Sequence, residues 1–460
     1  MRDLPGLYAW QSGSSLERAL RSPFLAAAAP GAGKTRFGTI WATLKIDEGS
    51  AKRIALIAPN ALLRTTWPNE IKSYGPTSHL RLKATHTIRP AARFESMFDP
   101  NADIITITPD QLAGIANLII EGKRCPFNAI IVDEAQGFRE PTTAKTKALH
   151  LIRRCVPKNN LLLLSGSPSP NSSADLWSPG AMMSLYAPFW GESFNNWRNK
   201  HYRKTSAYGW SALKGTDERV RKEIAPFSVA VDLRDSTDVP REVFTTQPFD
   251  FGREHTDRIN KFITEREVVI GDEKVVVDKD DDGRFLGLLR QLTAGFAYHP
   301  ITHEAIWFDK SRIDALGDVL EQDPAPKLVA ISFRAESEEI SRRFDGVVRF
   351  DGETPMNARP GIVDRFNADR IPILCIAPAS AGHGLNLQLG SARMVVWFSQ
   401  GFSWEMKAQV EARLVRSGQK KVVSVVTLEA NVGIDQSIAK VLARKSAGEK
   451  AVMAELRSKS

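Results

Sequence analysis

The chain has 460 residues, enough for two or three domains. With 42% hydrophobic and 25% charged residues it reads as globular, and no apolar run approaches the roughly 20 residues of a membrane span. The formal net charge of +9 favours a polyanionic partner, nucleic acid first, while Cys125, Cys155 and Cys375 are too dispersed for a disulfide framework or a zinc site.

The N-terminus, Met1 to Pro5, has no signal-peptide pattern, and a reducing compartment fits the cysteine usage. A cytoplasmic location is expected, in a bacterium or an infected host, with the nucleus as the alternative. Gln11 stands upstream of a glycine turn, and its amide offers both a donor and an acceptor to an adenine edge. An ordinary surface glutamine is the other reading.

The apolar run Phe24-Leu25-Ala26-Ala27 leads into Ala28-Ala29-Pro30-Gly31-Ala32-Gly33-Lys34-Thr35, and then into a segment able to continue as a helix. Strand, glycine turn and helix make the context of a phosphate-binding loop. The backbone from Pro30 through Gly33 would cradle the phosphates of ATP. Lys34 would reach the β- and γ-phosphates, and the Thr35 hydroxyl would bind Mg2+. Ala28 stands where the first glycine of the motif is usual.

Short apolar runs follow at 54–59, 103–108, 129–134 and 161–166, spaced widely enough for crossover helices. This predicts an α/β fold with a doubly wound parallel sheet and functional residues at the carboxyl ends of its strands. Pro59 and Asn60 end the first run and Thr108 the second. Residues of these types at strand ends can touch a nucleic-acid backbone, or simply turn the chain. The third run delivers Asp133 and Glu134, the former suited to the Mg2+ shell and the latter to polarising the attacking water. The fourth ends in Ser165-Gly166-Ser167-Pro168, whose hydroxyls could link the phosphate site to a bound strand.

From Pro179 to about Asp235, aromatic residues from Phe189 to Trp210 alternate with basic ones. Stacking on nucleic acid is one reading, and an inserted helical lobe with its own core the favoured one. Residues 241–251 read as an extended linker strand, and Asp278 to Gly283 as an acidic loop or hairpin. His299 and His303 have zinc-like spacing but no partner ligands, so packing or surface roles are expected. A second alternating block begins near Lys327 and lacks a phosphate loop of its own. Within it, Gly384 and Asn386 belong to a glycine-rich stretch after a strand. Gln409, Arg413 and Arg416 lie on an expected helix, where the two arginines share a face. Arginine fingers or a solvated basic helix are the two readings.

The order of these motifs resembles that of superfamily-two helicases, most closely the Swi/Snf-like branch. The resemblance is carried by the phosphate loop, by 54–70 ending in Trp67 and Glu70, and by Asp133-Glu134-Ala135-Gln136 with Phe138, Lys145 and Leu149. Ser165-Gly166-Ser167-Pro168 with Asn171, Asp351-Gly352 with Arg359 and Phe366, 382–388 and 409–419 complete it. Gln136 stands where that branch carries histidine, and Val415 where a histidine is common. The resemblance implies two RecA-like parallel-sheet domains in tandem, residues 1–178 and 321–460, separated by a helical insertion and linker at 179–320. It implies ATP and Mg2+ as cofactors, with Lys34, Glu134, Arg413 and Arg416 catalytic. Thr35 and Asp133 would hold the metal, and Gly384 and Gln409 would help hold the nucleotide. DNA is the implied partner, duplex before single strand and both before RNA, touching Pro59, Asn60, Thr108, Ser165, Ser167 and Asn386. A minimal, viral or bacterial, monomeric translocase is the expectation. Strand separation on DNA or RNA, and a nucleotide-gated clamp, are the alternatives.

Overall fold

Nearly all the short apolar runs become strands of two parallel sheets. The structure is a computed structural model that describes residues 4–184, 189–205, 210–236, 239–380, 385–416 and 418–457. It divides into two units, residues 1–238 with 445–460, and residues 239–444.

The strands of the first unit are β1 (Phe24–Ala28), β2 (Ile54–Ile57), β3 (Leu82–Lys83), β4 (Ile104–Ile107), β5 (Ala129–Val132), β6 (Leu161–Ser165), β7 (Tyr202–Lys204), β8 (Trp210–Ala212) and β9 (Ser228–Val231). All but the β7–β8 hairpin form one seven-stranded sheet, ordered β3-β4-β2-β5-β6-β1-β9, with parallel pairing throughout. β1, β2, β4, β5 and β6 are buried at every position, which explains why they read as continuous apolar runs rather than alternating ones. The expected strands end within two residues of where they were read.

The basic aromatic segment is not an insertion with a separate core. Phe189, Trp190, Trp197 and Tyr202 are buried in the same apolar cluster as Ile152 and Leu163 of the sheet domain. Trp190 and Trp197 stack on each other, and Arg198 lies over Phe194 and Trp210. The rings are therefore spent on packing. Further along, β9 joins the sheet beside β1, with Leu25 opposite Ser228 and Ala28 opposite Val231, which ties the segment to the first unit.

The second unit contributes β10 (Glu242–Phe249), β11 (Glu267–Ile270), β12 (Glu273–Val276), β13 (Phe296–Tyr298), β14 (Ala305–Trp307), β15 (Lys327–Ala330), β16 (Val347–Phe350), β17 (Ile373–Ile376), β18 (Met394–Trp397) and β19 (Val423–Ala430). A six-stranded parallel sheet runs β10-β19-β18-β15-β17-β16, and β11–β12 and β13–β14 are antiparallel hairpins. The stretch read as a linker strand is β10, and it is a member of this sheet, paired with β19 along its full length. Helices Arg253–Glu265 and Asp282–Thr293 share a core with Ile434, Ile438 and Leu442. These contacts divide residues 179–320 between the two units, unlike the three-part division expected.

The acidic run ends in a helix cap, because the Asp281 carboxylate accepts the Arg284 N–H at 2.9 Å. His299 is buried and its Nε2 meets Asp272 at 2.9 Å, a packing role. Among the described residues, no cluster of three or more His, Cys, Asp or Glu could hold a metal, and no helix is long and apolar enough to cross a membrane.

Candidate nucleotide site

β5, β6 and β1 are neighbours in the first sheet, so the segments following them meet at one carboxyl edge. The turn after β1 depends on two left-handed glycines, Gly31 at φ 87° and Gly33 at φ 85°. A side chain at either would be strained. Ala28 lies within β1 and is fully buried, so that position needs no glycine. Lys34 opens the helix Lys34–Asp47, with Thr35 in its first turn. The Lys34 ammonium donates to the carbonyls of Ala28 at 2.8 Å and Ala29 at 3.3 Å, folded back on its own loop.

Gln11 is fully buried, not a surface residue. Its Nε2 donates to the Gly33 carbonyl at 2.8 Å, and its Oε1 accepts the Tyr8 N–H, also at 2.8 Å. Trp10 Nε1 donates to the Ala32 carbonyl at 3.0 Å. A Cβ on Gly33 would come within 2.4 Å of Gln11 Nε2. The N-terminal turn thus clasps the phosphate loop, and Gln11 is its principal anchor.

Asp133 and Glu134 follow β5. Asp133 is buried, and its carboxylate accepts from Trp67 Nε1 at 2.8 Å and from the Glu134 N–H at 3.0 Å. Burial, and then the adjacent Glu134 charge, raise its pKa to about 6. Two neighbouring carboxylates held at such a cost suit a cation, and Mg2+ takes oxygen ligands from one or two carboxylates together with phosphates. The donor set therefore fits that metal. Glu134 has φ 55° and ψ 50°, a left-handed conformation that costs a non-glycine residue about 1 kcal/mol or more. Gln136 Nε2 donates to the Glu134 carboxylate, and Gln136 Oε1 accepts from Ser165 Oγ at 2.6 Å. Ser165 Oγ in turn accepts the Ser167 N–H at 3.2 Å. Ser165 and Ser167 are both buried, so the expected direct contact with nucleic acid gives way to a link from β6 to Glu134.

Pro59 is half-buried at the end of β2, and Asn60 is exposed, with its Oδ1 accepting from Arg64 at 3.0 Å. Thr108 caps the short turn after β4, its N–H donating to Gln111 Oε1 at 3.2 Å.

In the second unit, the helix carrying Gln409 ends at Glu411, so Arg413 and Arg416 lie in the turns beyond it rather than on a helical face. Buried Glu411, the last residue of that helix, holds Trp397 Nε1 at 3.1 Å and Lys407 at 2.8 Å. The arginines still converge, both donating to the Leu385 carbonyl, at 3.5 Å and 3.1 Å. Gln409 donates to Glu405 at 3.3 Å, and exposed Asn386 accepts from Asn367 through its carbonyl at 2.8 Å. Val415 is buried in the core of this sheet. Gly384 lies outside the described residues.

The SNF2-related domain model matches residues 21–292, more than half of the chain. The chain belongs to that family. It is a Swi/Snf-like, nucleic-acid-dependent ATPase of the helicase type. Putative protein p41 of Acyrthosiphon pisum secondary endosymbiont phage 1 is 24% identical over 431 residues, covering 89% of each chain. An uncharacterized ATP-dependent helicase of Mycoplasma genitalium is 24% identical over 411 residues, covering 85% of this chain but only 36% of its own. The solved Sulfolobus solfataricus SWI2/SNF2 ATPase core in complex with dsDNA aligns with 99% of this chain and 97% of its own, at 19% identity and a TM-score of 0.43.

For this SNF2-family chain the reading of single motifs missed the part played by Trp67. It noted Trp67 as part of a motif, but the indole reaches a carboxylate 66 positions away. Only the adjacency of β2 and β5 brings the two together.

Proposed function

We propose that this SNF2-family ATPase is a motor that couples ATP hydrolysis to movement along duplex DNA. The observation that carries the reading is the placement of Lys34 after β1 and of Asp133 and Glu134 after β5, the two strands that flank β6, with Ser165 of β6 tied to Glu134 through Gln136. The Lys34 ammonium is held by loop carbonyls, and phosphates bound in the loop would replace those acceptors. Thr35 and Asp133 would hold Mg2+, which supplies charge neutralisation at the phosphates when bound. Glu134 orients the attacking water and takes its proton, its direction fixed by Gln136. Arg413 and Arg416 are the cations assigned to the charge that develops on the γ-phosphate, and Gln409 to holding the nucleotide.

The basic charge balance supports a nucleic-acid track, and phosphate contacts of that kind are sequence-independent and salt-sensitive. Pro59, Asn60, Thr108 and Asn386 are the residues assigned to it. Strand separation has less support, because the segment that could have supplied a wedge has its aromatic side chains packed in the core.

The test is steady-state ATP hydrolysis at fixed salt with no nucleic acid, duplex DNA, single-stranded DNA or RNA, beside a Lys34→Ala control. Duplex stimulation at least equal to single-strand stimulation, with an inactive control, is expected. Stimulation by RNA alone, or by none of the three, would overturn the reading.

A further inference from the structure

Trp67 begins the helix Trp67–Ser73, directly after a π-helical turn, Leu62–Thr66, that follows β2. Its ring is fully buried. The indole lies across Gly38, in the helix that follows the phosphate loop, and a Cβ at that position would sit 2.6 Å from Trp67 Cη2. The next helical turn adds a tie between the same two helices, with Arg36 Nε donating to Glu70 at 2.7 Å. The missing side chain at Gly38 and the bulk of Trp67 are thus complementary, and together they carry the indole N–H to Asp133 Oδ2 at 2.8 Å.

The chemistry of the donor matters. Indole N–H only donates, carries no charge and cannot ligate a metal. It fixes the rotamer of a buried carboxylate without neutralising it. An arginine or lysine in the same place would compete with a cation for the same charge. With one oxygen on Trp67 and the other on the Glu134 N–H, the carboxylate plane is defined while further lone pairs remain for a metal or its water.

We propose that Trp67 is a positioning residue that presents the Asp133 carboxylate to the Mg2+ of the nucleotide complex, and that Gly38 is required to admit it. The inference rests on the assignment of Asp133 to the metal. It ties the segment after β2, which holds Pro59 and Asn60, directly to the nucleotide site.

The test uses the full chain and a fluorescent ADP analogue, titrated with Mg2+ and separately measured in EDTA. Trp67→Phe keeps an aromatic ring at the position, a smaller one, and removes the N–H. It should raise the Mg2+ concentration needed for half-maximal nucleotide retention about tenfold, the lower end for loss of a partner behind a metal ligand. Binding in EDTA should not change. Gly38→Ala should give the same shift, and the double variant no further one. An unshifted Mg2+ requirement in Trp67→Phe overturns the proposal, as does an equal loss of binding in EDTA, which marks general damage to the loop. Should Trp67→Phe fail to fold, Gly38→Ala carries the test alone. A parent protein that retains nucleotide identically with and without Mg2+ overturns the assignment of Asp133 itself, and that failure is visible before any variant is made.

Discussion

Asp133→Asn is expected to stabilise the nucleotide-free protein while ending its ATPase activity. Asp133 is 4% exposed, and burial followed by the Glu134 charge lifts its pKa from 3.8 to about 6. At about 1.4 kcal/mol per unit, a shift of about two units costs the folded state about 3 kcal/mol at pH 8. The folded-state pKa is the higher one, so the folded chain holds this proton more tightly than the unfolded chain. The cost is absent below pH 3.8, grows as the pH rises to about 6, and is complete above that. Asparagine has no charge to bury. It keeps one acceptor for the Trp67 N–H and loses the oxygen that takes the Glu134 N–H, a loss of about 1 kcal/mol. The net gain at pH 8 is about 2 kcal/mol, or roughly 4–8 °C in melting temperature for a unit of this size. Calorimetry in Mg2+-free buffer at pH 8 and pH 5 reads it. The gain should fall below about 1 kcal/mol at pH 5, where half the cost is already gone. A variant that melts below the parent at pH 8, or gains equally at both values, would refute the reasoning.

Gln11→Ala should weaken ATP and GTP binding by the same factor, because the amide is committed to the Gly33 carbonyl and the Tyr8 N–H. Competition binding of the two nucleotides reads this, and a loss confined to ATP would return Gln11 to the adenine. Arg312→Ala should destabilise the second unit by about 3–5 kcal/mol. The buried guanidinium serves the carbonyls of Thr293, Phe398 and Leu428 and pairs with Asp435, and its removal leaves that carboxylate without its cation. Urea unfolding measures it, and a change below about 1 kcal/mol would contradict the pairing argument.

How much of the site could be read from sequence depends on how local each requirement is. A phosphate loop needs its glycines, lysine and hydroxyl within a few residues, so 28–35 announce themselves, and the departure at Ala28 proves harmless because the residue sits in β1. Asp133 and Glu134 follow four apolar residues for the same reason. The strand order is harder. Ser228-Val229-Ala230-Val231 carries no more pattern than many loops, and it becomes a strand because the edge of β1 is there to pair with. Likewise β10 has only its pairing with β19 to mark it, with most of its side chains facing solvent. The helical face expected for Arg413 and Arg416 is absent because the helix ends at Glu411, a boundary that no residue pattern around it marks.

Gln136 shows how a departure from the family pattern can keep a connection while changing its chemistry. The position must offer a donor toward Glu134 and an acceptor toward Ser165 at the same time. Neutral histidine has one of each, but it titrates near pH 6.5, and the protonated ring has no acceptor left. Glutamine offers the same pair of groups and does not titrate. The link from β6 to Glu134 therefore holds through the range in which Asp133, with its pKa of about 6, changes charge. The substitution separates the orientation of Glu134 from the protonation of its neighbour. The donor that orients the Glu134 carboxylate is neutral at every pH, so a change of charge at Asp133 is not relayed through Gln136.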